Sequence, residues 1–147
     1  MRNIKRKLEG DTELTLKLID EICRVSLNGA VIIVEGKSDE EVLRAIGVQG
    51  VVMRYSELGK RKIADALGKM NFSKLLILTD FDEEGEGTAM EIERLAEENC
   101  FKVDRGLRSR FKKHLSGYSN TIEGLREIFN ESLKRRLKKE EGRAYYT

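Results

Sequence analysis

Glu35, Asp80 and Asp82 are the residues through which this chain could do chemistry. The stretch LTDFDEEGEG, Leu78 to Gly87, sets five acids among the seven residues from Asp80 to Glu86, directly after an apolar run. Glu35 follows another apolar run, AVIIV, 45 residues before Asp80. Carboxylates brought together repel and raise one another's pKa, so such a group is normally kept ionised by a cation. Mg2+ suits it, being a hard ion that takes carboxylate and water oxygens at about 2.1 Å and leaves positions open for substrate phosphates. Gly36 and Gly85, beside the acids, would let backbone approach a ligand without a Cβ in the way.

For these acids to meet, the elements before them must end on one rim. Ala30–Val34 and Lys74–Thr79 are apolar without alternation, the pattern of parallel strands covered on both faces. Between them the sequence predicts a short helix with Val42, Leu43 and Ile46 inward, a strand VVMRY over 51–55 and a helix over 60–70. A helix over 85–100 and a fourth short strand near Phe101–Asp104 follow. This alternation predicts an α/β domain with a mainly parallel, four-stranded, doubly wound sheet and right-handed crossovers. Ligands of such sheets bind beyond the carboxyl ends of the strands, where Glu35, Asp80 and Asp82 fall. Ser38 with Glu41 has capping-box spacing at the start of the first of these helices. Glu83, Glu84 and Glu86 precede or enter a helix start, where acids favour the dipole, a role that competes with direct metal contact. Leu14, Leu18, Ile22 and Val25 mark an amphipathic helix before the sheet; Ile122, Leu125, Ile128 or Phe129, Leu133 and Leu137 mark another after it.

The paired motifs carry a resemblance. VEGKSDEEVL (Val34–Leu43) resembles the E-G-x-x-D motif, and LTDFDEEGEG the D-x-D-x-x-G motif, of the Toprim domain shared by bacterial-type primases, topoisomerases, recombination proteins and the ribonucleases that mature 5S ribosomal RNA. Overall size is similar to the small stand-alone, primase-like Toprim proteins. The resemblance implies a compact Rossmann-like Toprim domain over 29–109, with an N-terminal helical extension over 1–28 and a basic C-terminal helical extension over 110–147. It also implies that Glu35 helps to hold a metal and serves as general acid or base at a phosphodiester. Asp80 and Asp82 would bind Mg2+, or Mn2+ in its place, as one or two ions. Asp39 fills the second acidic position of the first motif, as metal support or as a structural residue at the helix start. Lys37 would meet phosphate.

Charge is segregated along the chain. Residues 1–100 hold 15 Lys/Arg against 20 Asp/Glu, a net −5, and residues 101–147 hold 13 against 6, a net +7. Arg105, Arg108, Arg110, Lys112 and Lys113 form a basic segment after the last predicted strand, in a region that also resembles the small Toprim proteins. Such a strip beside a metal site suits nucleic acid, and the resemblance favours RNA over DNA, although a solvated helix face with ordinary salt bridges competes with that reading. Aromatic interleaving is sparse (Phe101, Phe111, Tyr118), so base stacking gains no support. His114, the single histidine, has no second histidine to pair with and reads as a surface or RNA-contact residue. Tyr145 and Tyr146 read as tail residues. Cys23 and Cys100 stand far apart with no C-x-x-C, so no disulfide framework or zinc site is expected.

The resemblance implies a Mg2+-dependent nucleic-acid phosphodiester enzyme and, through the rRNA-maturing branch, an endoribonuclease acting on structured RNA, with a non-catalytic binding module or primase-like accessory protein as the alternative. The D-x-D stretch is also similar to the aspartyl nucleophile motif of haloacid-dehalogenase-type phosphatases. That reading leaves Glu35 unexplained and only 65 residues after Asp82 for the remaining motifs. No apolar run reaches the roughly 20 residues that span a bilayer, and MRNIKRKLEG lacks the apolar region of a signal peptide. A cytoplasmic protein without a membrane partner is expected, with a protein partner or a second copy as a further expectation.

Overall fold

The two apolar runs become the hydrogen-bonded heart of the sheet. In the computed structural model, residues 2–116 and 121–144 are described; Tyr118, Tyr145 and Tyr146 lie outside them. Among the described residues, β1 (Val31–Val34), β2 (Val52–Arg54) and β3 (Leu75–Ile77) form a parallel sheet in the order β2-β1-β3. Six helices flank it: α1 (Arg2–Leu27), α2 (Lys37–Ala45), α3 (Tyr55–Gly68), α4 (Glu83–Glu98), α5 (Arg105–Leu115) and α6 (Glu123–Ala144). Successive strand residues face opposite layers. Ile32, Val34, Leu76 and Leu78 therefore join a core with α1, α2, α5 and α6, while Val31, Ile33, Leu75 and Ile77 join another with α3 and α4. Every residue of β1 and β3 is 0–1% exposed, and burying each such side chain contributes about 1.5–3 kcal/mol.

The four-stranded sheet is not formed. Val103 makes a single parallel bridge to Leu75, through Leu75 N–H to the Lys102 carbonyl and Asp104 N–H to the Leu75 carbonyl, both 2.8 Å. The physical reason lies in the next residue pair. Asp104 caps α5 by accepting from the Leu107 N–H at 3.0 Å and is tied to Lys74 at 2.6 Å, so the chain turns into a helix instead of running on along β3.

Other expectations shift by small amounts. The cap of α2 is not the Ser38–Glu41 pair: Gly36 is the N-cap, and Asp39 reaches back to accept its N–H at 3.0 Å. The buried stripe of α1 is Thr15, Leu18, Ile19, Ile22 and Ser26, whereas Leu14 is 50% exposed; on α6 Leu137 is 54% exposed, beyond the packed part of the helix. α3 begins at Tyr55, and Gly59, at φ 72°, kinks it before the predicted start at Lys60. That left-handed conformation suits glycine.

Candidate functional site

The parallel register decides where the acids go. Ile33 pairs with Ile77, and Leu78 N–H extends the ladder to the Ile33 carbonyl at 2.8 Å, so Glu35 and Asp80 leave their strands at the same carboxyl rim. Asp82 then caps α4, its Oδ1 accepting from Gly85 N–H at 2.7 Å, while the Thr79 hydroxyl donates to the Gly85 carbonyl at 2.7 Å. Both sides of Gly85 are thus hooked to the strand end. A Cβ on Gly85 would stand 2.0 Å from the Asp80 carbonyl oxygen, so only glycine lets the first turn of α4 pack against this peptide.

Glu35, Asp80, Asp82, Glu84 and Gly85 line one cleft of about 220 Å³. Asp80 is held from the far end of the chain: its Oδ1 accepts the Ile122 N–H at 3.0 Å, just ahead of α6. Glu35 Oε1 is buried with no hydrogen-bond partner. Burial is the largest reason that the Glu35 carboxyl is held above its ordinary pKa. Thr88 offsets part of this, and the charges of Asp80, Glu84 and Asp39 add to it. Asp39 is also raised, again mainly by burial, with the Gly36 N–H opposing and Asp80 and Glu123 adding.

An orphaned, buried carboxylate oxygen facing other carboxylates fits a hard divalent ion. Among the described residues, however, no three Asp, Glu, His or Cys side chains are already gathered as a ligand set. The donors present suit an ion held through one or two carboxylates with water completing its shell, the usual habit of Mg2+.

A sign follows for the metal-free protein. A carboxyl whose folded pKa lies above its unfolded value binds more protons when folded, so stability falls as pH rises from the unfolded pKa through the folded one. Glu35→Gln is therefore expected to raise the melting temperature in EDTA at pH 7, and the gain should vanish as pH falls below the ordinary glutamate range. Thermal melts at a series of pH values check this; a lowered melting temperature at pH 7 would count against the unpartnered charge.

The basic segment lies differently from its expected surface strip. Arg108 is 7% exposed and points inward, donating from Nη1 to the Ile77 and Thr79 carbonyls at 2.9 and 3.0 Å and from Nη2 to Glu86 at 3.2 Å, with its guanidinium 4.8 Å from the Phe81 ring centroid. Arg105 pairs with Glu93 and Glu97, Arg110 with Glu21 through two bonds, and Lys112 with Glu86. Lys113 and Lys37 are exposed. His114 bonds Thr15 on α1 at 2.6 Å and so joins two helices. Glu83, Glu84 and Glu86 do fall in the first turn of α4, but Glu84 also lines the cleft and Glu86 holds Arg108 and Lys112.

Sequence reasoning missed Thr88, Ile122 and Tyr55. Tyr55 donates to Glu91, and that bond, burial and the charges of Glu91 and Glu35 push its hydroxyl up to about 12. Thr88 had a findable signal, since it lies one turn after Glu84 on the same helix face. The Ile122 N–H had none, because backbone donors leave no mark in side-chain patterns.

The fold and the cleft define a parallel α/β domain with an acidic rim at the carboxyl ends of its strands. The Toprim domain model matches residues 30–113, and the chain belongs to that family, whose members are typically Mg2+-binding modules acting on nucleic acid. The UPF0292 protein of Archaeoglobus fulgidus is 38% identical over 128 residues, 87% of this chain and 86% of that protein. Its counterpart in Thermococcus onnurineus is 35% identical over 118 residues, covering 80% and 83%. A solved structure of a protein from Aquifex aeolicus superposes with a TM-score of 0.64 at 29% identity, covering 73% of this chain and 94% of that one. No helix among the described residues is long and apolar enough to cross a membrane.

Proposed function

We propose that the acidic cleft is the active site of a Mg2+-dependent phosphodiester enzyme that cleaves structured RNA. The observation that carries this reading is the buried, unpartnered Glu35 Oε1 in a cleft with Asp80, Asp82 and Glu84. Glu35, Asp80 and Asp82 would hold the ion, with Glu84 close by. When bound, Mg2+ supplies polarisation of a phosphoryl oxygen and stabilisation of the charge that develops on it. Glu35, whose carboxyl burial holds above its ordinary range, stands where it could take or give a proton at the reacting phosphodiester. The Ile122 N–H fixes the Asp80 carboxylate, and the hooked Gly85 turn fixes Asp82, so neither must be ordered on binding. Lys37, exposed at the first turn of α2 directly after Gly36, is available to a substrate phosphate.

A second reading takes the chain as a module that grips nucleic acid without cutting it; the family match, which names the domain and no reaction, suits it equally. One assay separates the two. Structured RNA and single-stranded DNA are incubated with the wild type and with Glu35→Gln, in Mg2+, Mn2+ or EDTA. The enzyme reading expects metal-dependent RNA cleavage that falls at least about 100-fold in the variant, the usual scale for loss of an acid–base group. Cleavage indifferent to the substitution sinks the assignment of Glu35; binding without cleavage in either protein favours the module.

A further inference from the structure

Nucleic acid needs a cationic surface that is not already satisfied, and α5 offers little of one. Arg105, Arg108, Arg110 and Lys112 are each bonded to carboxylates of the same molecule. Exposed cations outside these ion pairs lie elsewhere, at Lys37 beside Gly36 and on α3. Lys60, Arg61 and Lys62 are all exposed and form no ion pair among the described residues. Glu57, the acid one turn before them, is held by Arg54 at 2.9 Å.

Their position relative to the cleft follows from the parallel sheet. β2 ends on the same rim as β1 and β3, and α3 starts there. The Ser56 N–H donates to the Glu35 carbonyl at 2.8 Å, and Ser56 Oγ would lie 3.4 Å from a Cβ on Gly36. Tyr55 is close enough to feel the Glu35 charge. Gly59 then kinks the helix, and Ile63, 0% exposed, points into the core, so the three residues before it fan across the outer side. Lys37, exposed at the start of α2 beside Gly36, flanks the same place.

The geometry points to Lys60, Arg61 and Lys62, with Lys37, as the surface that takes the phosphate backbone of the nucleic acid whose scissile group enters the cleft. The inference rests on the proposed function and names where that substrate lies: across the β1–β2 side of the rim, over α3. Backbone phosphates neutralised here release counterions, so binding through this surface is salt-dependent.

The test uses the full chain and a fluorescently labelled RNA stem-loop, with anisotropy read in EDTA over a KCl series so that binding does not depend on the acidic cleft. The variants are Lys60→Gln/Arg61→Gln/Lys62→Gln and, as a remote control, Lys134→Gln/Lys138→Gln/Lys139→Gln, three exposed lysines on the distal half of α6. The α3 variant is expected to bind at least about ten-fold more weakly and to lose about 2–3 from the slope of log K against log salt, near 0.7–0.9 per phosphate contact; the α6 variant should change little. A wild type that binds while the α3 variant matches it within about two-fold, or equal losses in both variants, overturns this inference and leaves the enzyme reading to the Glu35 assay. A wild type with no salt-sensitive binding overturns this inference as well, and the enzyme reading again stands or falls on the Glu35 assay. Unchanged melting temperatures exclude misfolding, since none of the six side chains is buried.

Discussion

Gly85→Ala is expected to destabilise the protein by about 3 kcal/mol or more, at the upper end of overpacking penalties, and to reduce metal-dependent cleavage about 100-fold. The added methyl would meet the Asp80 carbonyl oxygen, carbon and Cα at 2.0, 2.5 and 2.9 Å. All three belong to backbone, so no side chain can swing aside; the first turn of α4 must retreat. That movement breaks the Thr79 and Asp82 hooks and shifts Asp82 and Glu84 relative to Glu35. A misplacement near 1 Å can cost about two orders of magnitude in rate. Gly87 supplies the control: it lies two residues on in the same helix, with nothing within 4 Å of its would-be Cβ. Gly87→Ala should be neutral or stabilising by up to about 1 kcal/mol, because helical glycine loses more entropy on folding than alanine. Denaturant titrations of the two variants decide; equal effects would discard the close-packing argument.

Arg108→Met is expected to cost about 3–4 kcal/mol, a large part of the 5–15 kcal/mol that holds a typical domain. Methionine keeps an unbranched apolar stem but removes the guanidinium from the Phe81 ring and leaves the Ile77 and Thr79 carbonyls without donors, and each buried unsatisfied group costs about 1–3 kcal/mol. Glu86 is partly exposed and can rehydrate, so its share is smaller. Arg108→Lys should recover only part of the loss, since its one nitrogen, although it carries three donors, replaces two guanidinium nitrogens set apart to serve the carbonyls and Glu86. Denaturant midpoints at constant m-value measure this. A change below about 1 kcal/mol for Arg108→Met would show that water replaces the guanidinium.

Much of this was legible in the sequence for definite reasons. AVIIV and KLLILT are apolar at every position because each strand is covered on both faces, and that pattern has few other physical causes. Their shared direction set Glu35, Asp80 and Asp82 at one rim, while the glycine at position 85, expected to leave room for a ligand, instead admits the Asp80 backbone against the first turn of α4. The fourth strand was misread because FKVD has strand-like residues, whereas the deciding interaction is a capping bond from Asp104 to the Leu107 N–H, which favours a helix immediately. Arg108 was misread because an arginine in a basic helix is usually solvated; its partners are backbone carbonyls 29 and 31 residues away, which no local pattern records. The Asp80–Ile122 contact spans 42 residues and was equally hidden.

The Arg108 guanidinium and the missing strand are two views of one arrangement. Along the outer edge of β3, alternate carbonyls face the same way: Leu75 is met by the Asp104 N–H, and Ile77 and Thr79 are met by Arg108. An open edge of that kind is a template on which a strand of another molecule can add. Beyond the Val103 bridge a single side chain closes it, so loss of Arg108 should appear as growth of intermolecular β-structure on concentration, as well as a lower unfolding free energy.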